Sequence, residues 1–267
     1  MSISQTNASA PTRPMGMDRP SVRRITEADL NWALAEGWRD FKAKRGDVPV
    51  LAVLYPLVGF VVVSVAFNAN LLPLVFPLVA GLTIFGPAMA SGFYEIARRR
   101  ELGLESSWFH FFDPVKGRSR AGLAILTGGL GVLLLAWLAA AWAIYGATLG
   151  QAPMAGMADF ANRLFSTPQG WMMILLGNLV GLGFAAVTLT LAVVSFPMVV
   201  DRPIAADIAV GASIRAVAAN PSVMLSWGLR VAVLLALGCL PAFIGLAVVL
   251  PVLGYATWRL YTRLVER

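Results

Sequence analysis

A chain of 267 residues that is 58% hydrophobic and only 13% charged carries about half the charge of an ordinary soluble domain. A globule of this size cannot withdraw so much apolar surface from water, because part of every globule faces solvent; lipid removes the difficulty. The net charge of +7 is spread over the ends of apolar runs, which is the pattern of a protein facing anionic headgroups, and no nucleic-acid-binding signature accompanies it.

Residues 1–24 are polar, with Pro11, Pro14 and Pro20 and no apolar core, so they predict a disordered cytoplasmic tail rather than a signal peptide. Thr26 and Asp29 form an imperfect capping box. Leu30, Leu34, Trp38 and Phe41 then recur at helical spacing, while Glu36, Arg39 and Asp40 fall on other faces. This predicts an amphipathic interfacial helix, too charged to cross a membrane.

Six apolar runs follow, at about 48–67, 71–97, 121–149, 171–200, 222–240 and 242–262. Each is near the roughly 20 helical residues that span a hydrocarbon core of ~30 Å. The expected fold is therefore all-α, a single six-span membrane domain over 25–267. Asn68–Asn70 and Pro241 predict tight hairpins, and 150–170 is a sizeable loop with a short helix around Met157 to Leu164. With the N-terminus inside, every lysine and arginine except Arg163 falls on the cytoplasmic side. Positive charge stays inside, so both termini are expected in the cytoplasm.

Three apolar triplets precede the odd-numbered spans at spacing i, i+4, i+7: Leu34, Trp38 and Phe41; Leu104, Trp108 and Phe111; Val210, Ile214 and Val217. That spacing lays each along one helical face. It suggests three units, each a cytoplasmic interfacial anchor followed by a transmembrane hairpin. His110, the sole histidine, lies in "SSWFHFFDP" on the polar side of the middle anchor, away from Trp108 and Phe111.

The stretches "LTIFGPAMASGFYEIARRRELG" from Leu82, "SFPMVVDR" from Ser195 and "LGYATWRLY" from Leu253 resemble a bacterial integral-membrane family catalogued as domain of unknown function 2189. The resemblance implies a multi-pass protein of the bacterial inner membrane without an agreed activity. Some relatives carry the label cytochrome c oxidase subunit I. A haem–copper core, however, needs about six intramembrane histidines, and this chain has one.

Other chemistry is sparsely signalled. The single cysteine, Cys239, excludes an intrachain disulfide and a CxxC metal site. No HExxH, GxSxG or P-loop pattern occurs, so no catalytic residue, metal or cofactor is expected. Glu95, Asp201 and Arg230 are candidates for an intramembrane polar cluster. For Arg230 the choices are snorkelling to the interface, pairing with Asp201, or a transport role. Gly177, Asn178 and Gly181 in "GNLVGLG" suit close helix packing, while Pro87 and Pro197 predict kinks in two returning spans. The expected function is a non-catalytic membrane protein that binds lipid or another membrane protein in assembly or envelope homeostasis. A small-molecule transporter or channel is the alternative. Nothing in the sequence sets a homo-oligomeric state.

Overall fold

The computed structural model describes residues 20–43, 57, 61, 64, 72–150, 156–241 and 243–267. Among these residues the chain is helical, apart from a lone antiparallel bridge between Val22 and Val265. In chain order the α-helices are α1 (Glu27–Ala43), α2 (Val75–Leu82), α3 (Gly86–Glu101), α4 (Asp113–Lys116), α5 (Arg120–Thr148), α6 (Met157–Ser166), α7 (Pro168–Ala192), α8 (Ser195–Asp201), α9 (Ala206–Ala219), α10 (Pro221–Cys239) and α11 (Leu246–Leu264).

Among the described residues four helical stretches are long and apolar enough to cross a membrane: Val75–Glu101, Arg120–Thr148, Pro168–Asp201 and Pro221–Cys239. They answer to the second through fifth expected spans. The first, at 48–67, and the turn Asn68–Asn70 lie almost wholly outside the described residues. The sixth falls on α11, which is not among the four. Arg259 and Arg263 in its second half lower its apolar character.

Only 17–33% of each apolar window is buried within the protein. Leu135, Val132, Leu175, Leu182 and Leu225 are each more than two-thirds exposed. Hydrating such surface costs roughly 25 cal/mol per Å², and a hydrocarbon surround removes that cost.

Proline breaks two of the four spans. Its ring crowds the carbonyl four residues back, and it has no N–H to donate. Four residues before Pro87 stands Thr83, where a 3-10 turn over Thr83–Phe85 separates α2 from α3. Four residues before Pro197 stands Val193, and the chain turns at Val193 and Val194 between α7 and α8. The Val194 N–H donates instead to Ser213 Oγ on α9, at 3.2 Å. The break thus ties the end of a span to the helix that follows it.

The tightest packing lies at one end of the bundle. There α1 lies on α11, α11 on α3, and α3 on α8. Tyr94, Phe196, Met198, Trp227, Trp258, Leu260, Tyr261 and Leu264 are almost completely buried. The face of α1 that packs inward is Leu30, Ala33, Gly37, Asp40 and Phe41, offset from the expected Leu34–Trp38–Phe41 stripe. Phe41 is buried, Leu34 packs against the core edge, and Trp38 is 42% exposed. Gly37 explains the offset. A Cβ there would stand 2.7 Å from Ala256 N and 2.8 Å from Val252 O, so the two backbones meet where only glycine fits.

Of the tail expected to be disordered through residue 24, Pro20–Arg24 is ordered, and the rest lies outside the described residues. Arg23 N–H donates to Leu264 O at 2.8 Å. The Asn220 side chain accepts from Ile25 N–H at 2.8 Å and donates to Arg23 O at 3.1 Å. These bonds hold Pro20–Arg24 against the C-terminus.

The middle of the three expected anchors also differs. Trp108–Phe112 is a 3-10 helix followed by the four-residue α4, not a continuous α-helical face through Leu104. Gly103 adopts φ +68° and Ser107 is extended, so Leu104 lies in the connecting chain. Pro114 then sits at the start of α4. The first and third units do have an α-helix at this point, α1 and α9.

Candidate functional site at the charged end

A network of charged side chains gathers where α1, α3, α8 and α11 pack. Asp40, 3% exposed, lies at their centre. Its Oδ1 accepts from Arg100 Nη1 at 2.9 Å and its Oδ2 from Arg259 Nε at 2.9 Å. One carboxylate therefore joins α1, α3 and α11. Both oxygens bond to guanidinium donors, as a buried charge requires.

Beside it, Glu95 is also buried, and Arg98 grips it bidentately at 2.7 and 2.8 Å. Arg99 approaches Glu95 at 3.8 Å and reaches Asp113 at 3.4 Å and Glu105 O at 2.6 Å. Asp113 in turn lies 2.9 Å from His110 Nδ1. Glu101 accepts from Trp258 Nε1 at 3.1 Å and pairs with Arg267. Asp201 accepts from Tyr261 Oη at 2.8 Å and lies 3.6 Å from Arg267.

The expected polar cluster of Glu95, Asp201 and Arg230 is not one cluster. Arg230 bonds to Glu27 Oε2 and Asn31 Oδ1, each at 2.7 Å, rather than to Asp201. The reason lies in the packing: α1 brings its first turn beside α10, while Tyr261 and Arg267 occupy Asp201. Arg230 does have a carboxylate partner, and it comes from the interfacial helix.

The remaining sequence candidates are dispersed. Phe111 lies against α3, since a Cβ on Gly92 would meet its ring at 2.3 Å. It stacks edge-on to Phe93 at 5.0 Å. Leu104 is half exposed, and Trp108 stacks on Phe109 at 4.2 Å. On α9 the buried face is Ala206, Ala209, Ala212, Ser213 and Ala216. Val210 and Val217 lie at its edge and Ile214 is 44% exposed. Gly181 receives the Trp137 ring, at 2.8 Å from a notional Cβ. Among the described residues Gly177 faces open space and Asn178 donates to Ile174 O of its own helix at 2.8 Å, so neither joins a helix contact there.

Sequence reading missed Asp40, which it placed off the apolar face. The signal was present: Leu30, Ala33, Gly37 and Asp40 fall at i, i+3, i+7 and i+10, so a small-residue stripe runs directly into a carboxylate. Among the described residues no group of three or more His, Cys, Asp or Glu is arranged to hold a metal ion.

A cavity of about 190 Å³ opens next to this network. It is lined by Glu95, Arg98 and Arg99 of α3, Asp113 and Pro114 of α4, Gly117, Arg118 and Ser119 ahead of α5, and Val200 of α8. Its walls thus carry charges of both signs, directly beside the last turn of one span and the first turn of the next.

These elements fall within a stretch that has relatives. Residues 75–201 match the family model DUF2189, predicted integral membrane protein. The DUF2189 stretch runs from α2 through α8 and contains every residue lining the cavity. It includes the motif from Leu82 and that from Ser195 as far as Asp201, while the motif from Leu253, with Asp40, Arg230 and Arg259, lies beyond it. No curated protein and no solved structure matches the chain. With its apolar, outward-facing helices, the chain is an integral membrane protein.

Proposed function

We propose that the chain is a non-catalytic, six-span protein of the bacterial inner membrane. Both termini lie in the cytoplasm, and the charged end binds lipid or another membrane protein. The observation that carries this reading is the use made of the carboxylates. Asp40, Glu95, Glu101 and Asp201 each bond to groups on neighbouring turns or helices, so the charges fix a surface at the end of the bundle. Arg163 and Asp159, paired at 2.9 Å on α6, belong to the opposite end, which supports the orientation drawn from positive charge.

Purification of the full chain from native membranes in mild detergent, with lipid and protein identification, tests the reading. A phospholipid or membrane protein should be retained at a stoichiometric level. A bare protein that instead drives solute flux in liposomes would favour the transporter alternative.

A further inference from the structure

We propose that the cavity between α3, α4 and the start of α5 holds the phosphate of a phospholipid headgroup. The proposal rests on the lipid-binding reading above and gives it a site. Position is the first argument. Glu95–Arg99 end one span and Arg120 begins the next, so the residues between them lie at a membrane surface, at headgroup depth. The about 190 Å³ volume has room for a phosphate and its ester oxygens.

Charge is the second argument. Three guanidiniums and two carboxylates line the cavity, leaving an excess of one positive charge. The pairs are unevenly saturated. Arg98 is committed to Glu95 through two nitrogens. Among the described residues exposed Arg118 makes a single bond, from Nη2 to Asp201 O at 2.7 Å, which leaves Nε and Nη1 to offer a phosphate in the forked geometry guanidinium favours.

The start of α5 adds to this. Ser119, its N-cap, does not cap it, because the hydroxyl donates to Val199 O at 2.9 Å. The Arg120 and Leu123 amides donate to Gly117 O and Ser119 O, so the Ala121 and Gly122 amides, at the positive end of a 29-residue helix, are what this helix start adds next to Arg118 in the chain. Phe112 and Val115, both exposed, flank Asp113 and Pro114 in the chain and offer apolar surface for the acyl region.

The test uses the purified full-length protein in detergent, with lipid retention read by native mass spectrometry. Phosphatidylglycerol and phosphatidylethanolamine are compared with a phosphate-free glycolipid, and inorganic phosphate is titrated separately. Wild type should retain the phospholipids over the glycolipid, and Arg118→Gln should lose retention about tenfold, as expected for one charged hydrogen bond. Arg163→Gln, at the opposite end, should not change it. Arg118→Lys should recover part of the loss, and Asp113→Asn, which removes a negative charge from the wall, should strengthen retention. Those two variants decide the matter if Arg118→Gln does not fold.

Binding of inorganic phosphate that Arg118→Gln abolishes, without lipid retention, would support the site and assign its ligand to a soluble phosphate. Equal retention by wild type and Arg118→Gln, or equal retention of the glycolipid, overturns the proposal. A protein partner recovered from native membranes would leave the broader reading standing in that case.

Discussion

Asp40 is a carboxylate with two guanidinium partners brought from 60 and 219 residues away. Truncating it strands Arg100 and Arg259, whose side chains are 30% and 21% exposed. Breaking a buried pair in this way costs about 3 kcal/mol or more. Asp40→Ala should lower unfolding free energy by that amount in a mixed-micelle denaturation series. Glu36→Ala, which removes the partner of the exposed Arg39, should stay within about 0.5 kcal/mol. Equal losses would mean that Asp40 is not the junction of the three helices.

Glu266 gives a pH dependence at the same scale. The Ser21 hydroxyl and then the Arg23 guanidinium hold its carboxyl below the usual glutamate range. Because the folded value is depressed, this contribution is present above the ordinary glutamate pKa of about 4.3 and is lost as pH falls through the folded value. Hydrogen exchange at the Arg23 amide, normalised to its intrinsic rate, should therefore lose protection under acid. Glu266→Gln should show the weaker protection already at neutral pH.

Among the elements, α1 lies against the α11 backbone at a single glycine, Gly37. Gly37→Leu must push α1 off α11, since the new side chain would begin 2.7 Å from backbone nitrogen. Overpacking of this kind costs about 1–3 kcal/mol. Chemical denaturation should report the loss, and faster exchange at α1 amides should accompany it. Unchanged exchange would show that α1 is held elsewhere.

The contrast between α1 and the spans explains what the sequence made legible. Continuous apolar runs announce themselves, so the helices from Val75 to Cys239 were readable within a few residues. The proline breaks were readable because a proline acts on its own chain four residues back. The face of α1 was not, because the choice between Leu34 and Gly37 depends on the shape that Val252 and Ala256 present more than two hundred residues on. The same distance hid the partners of Asp40 and Arg230. An acidic side chain on a helix predicts that a cation is needed, but not which helix delivers it. Around Trp108 the local pattern misled, because apolar spacing at i, i+4, i+7 ignores what Gly103 and Pro114 do to the backbone.

At the scale of the whole molecule, the lysines and arginines among the described residues fall toward one end except Arg163, and the helices connect so that Gly117 and Ser166 lie at opposite ends of α5 and of the chain segment that follows it. Positive charge resists crossing toward the outside, so the end holding Gly117 should face the cytoplasm. Cys239 is the sole native thiol, which makes a labelling test clean. In a Cys239→Ser background, single cysteines at Ser166 and at Gly117 can be challenged in intact spheroplasts with a membrane-impermeant maleimide. Ser166→Cys should label at once, whereas Gly117→Cys should label only after lysis. The reverse pattern would place the arginine-lined cavity on the outer face, and the basic end would then oppose the orientation that its charge favours. Labelling of both from outside would mean that the stretch Arg120–Thr148 does not cross the bilayer, and the spans would have to be reassigned.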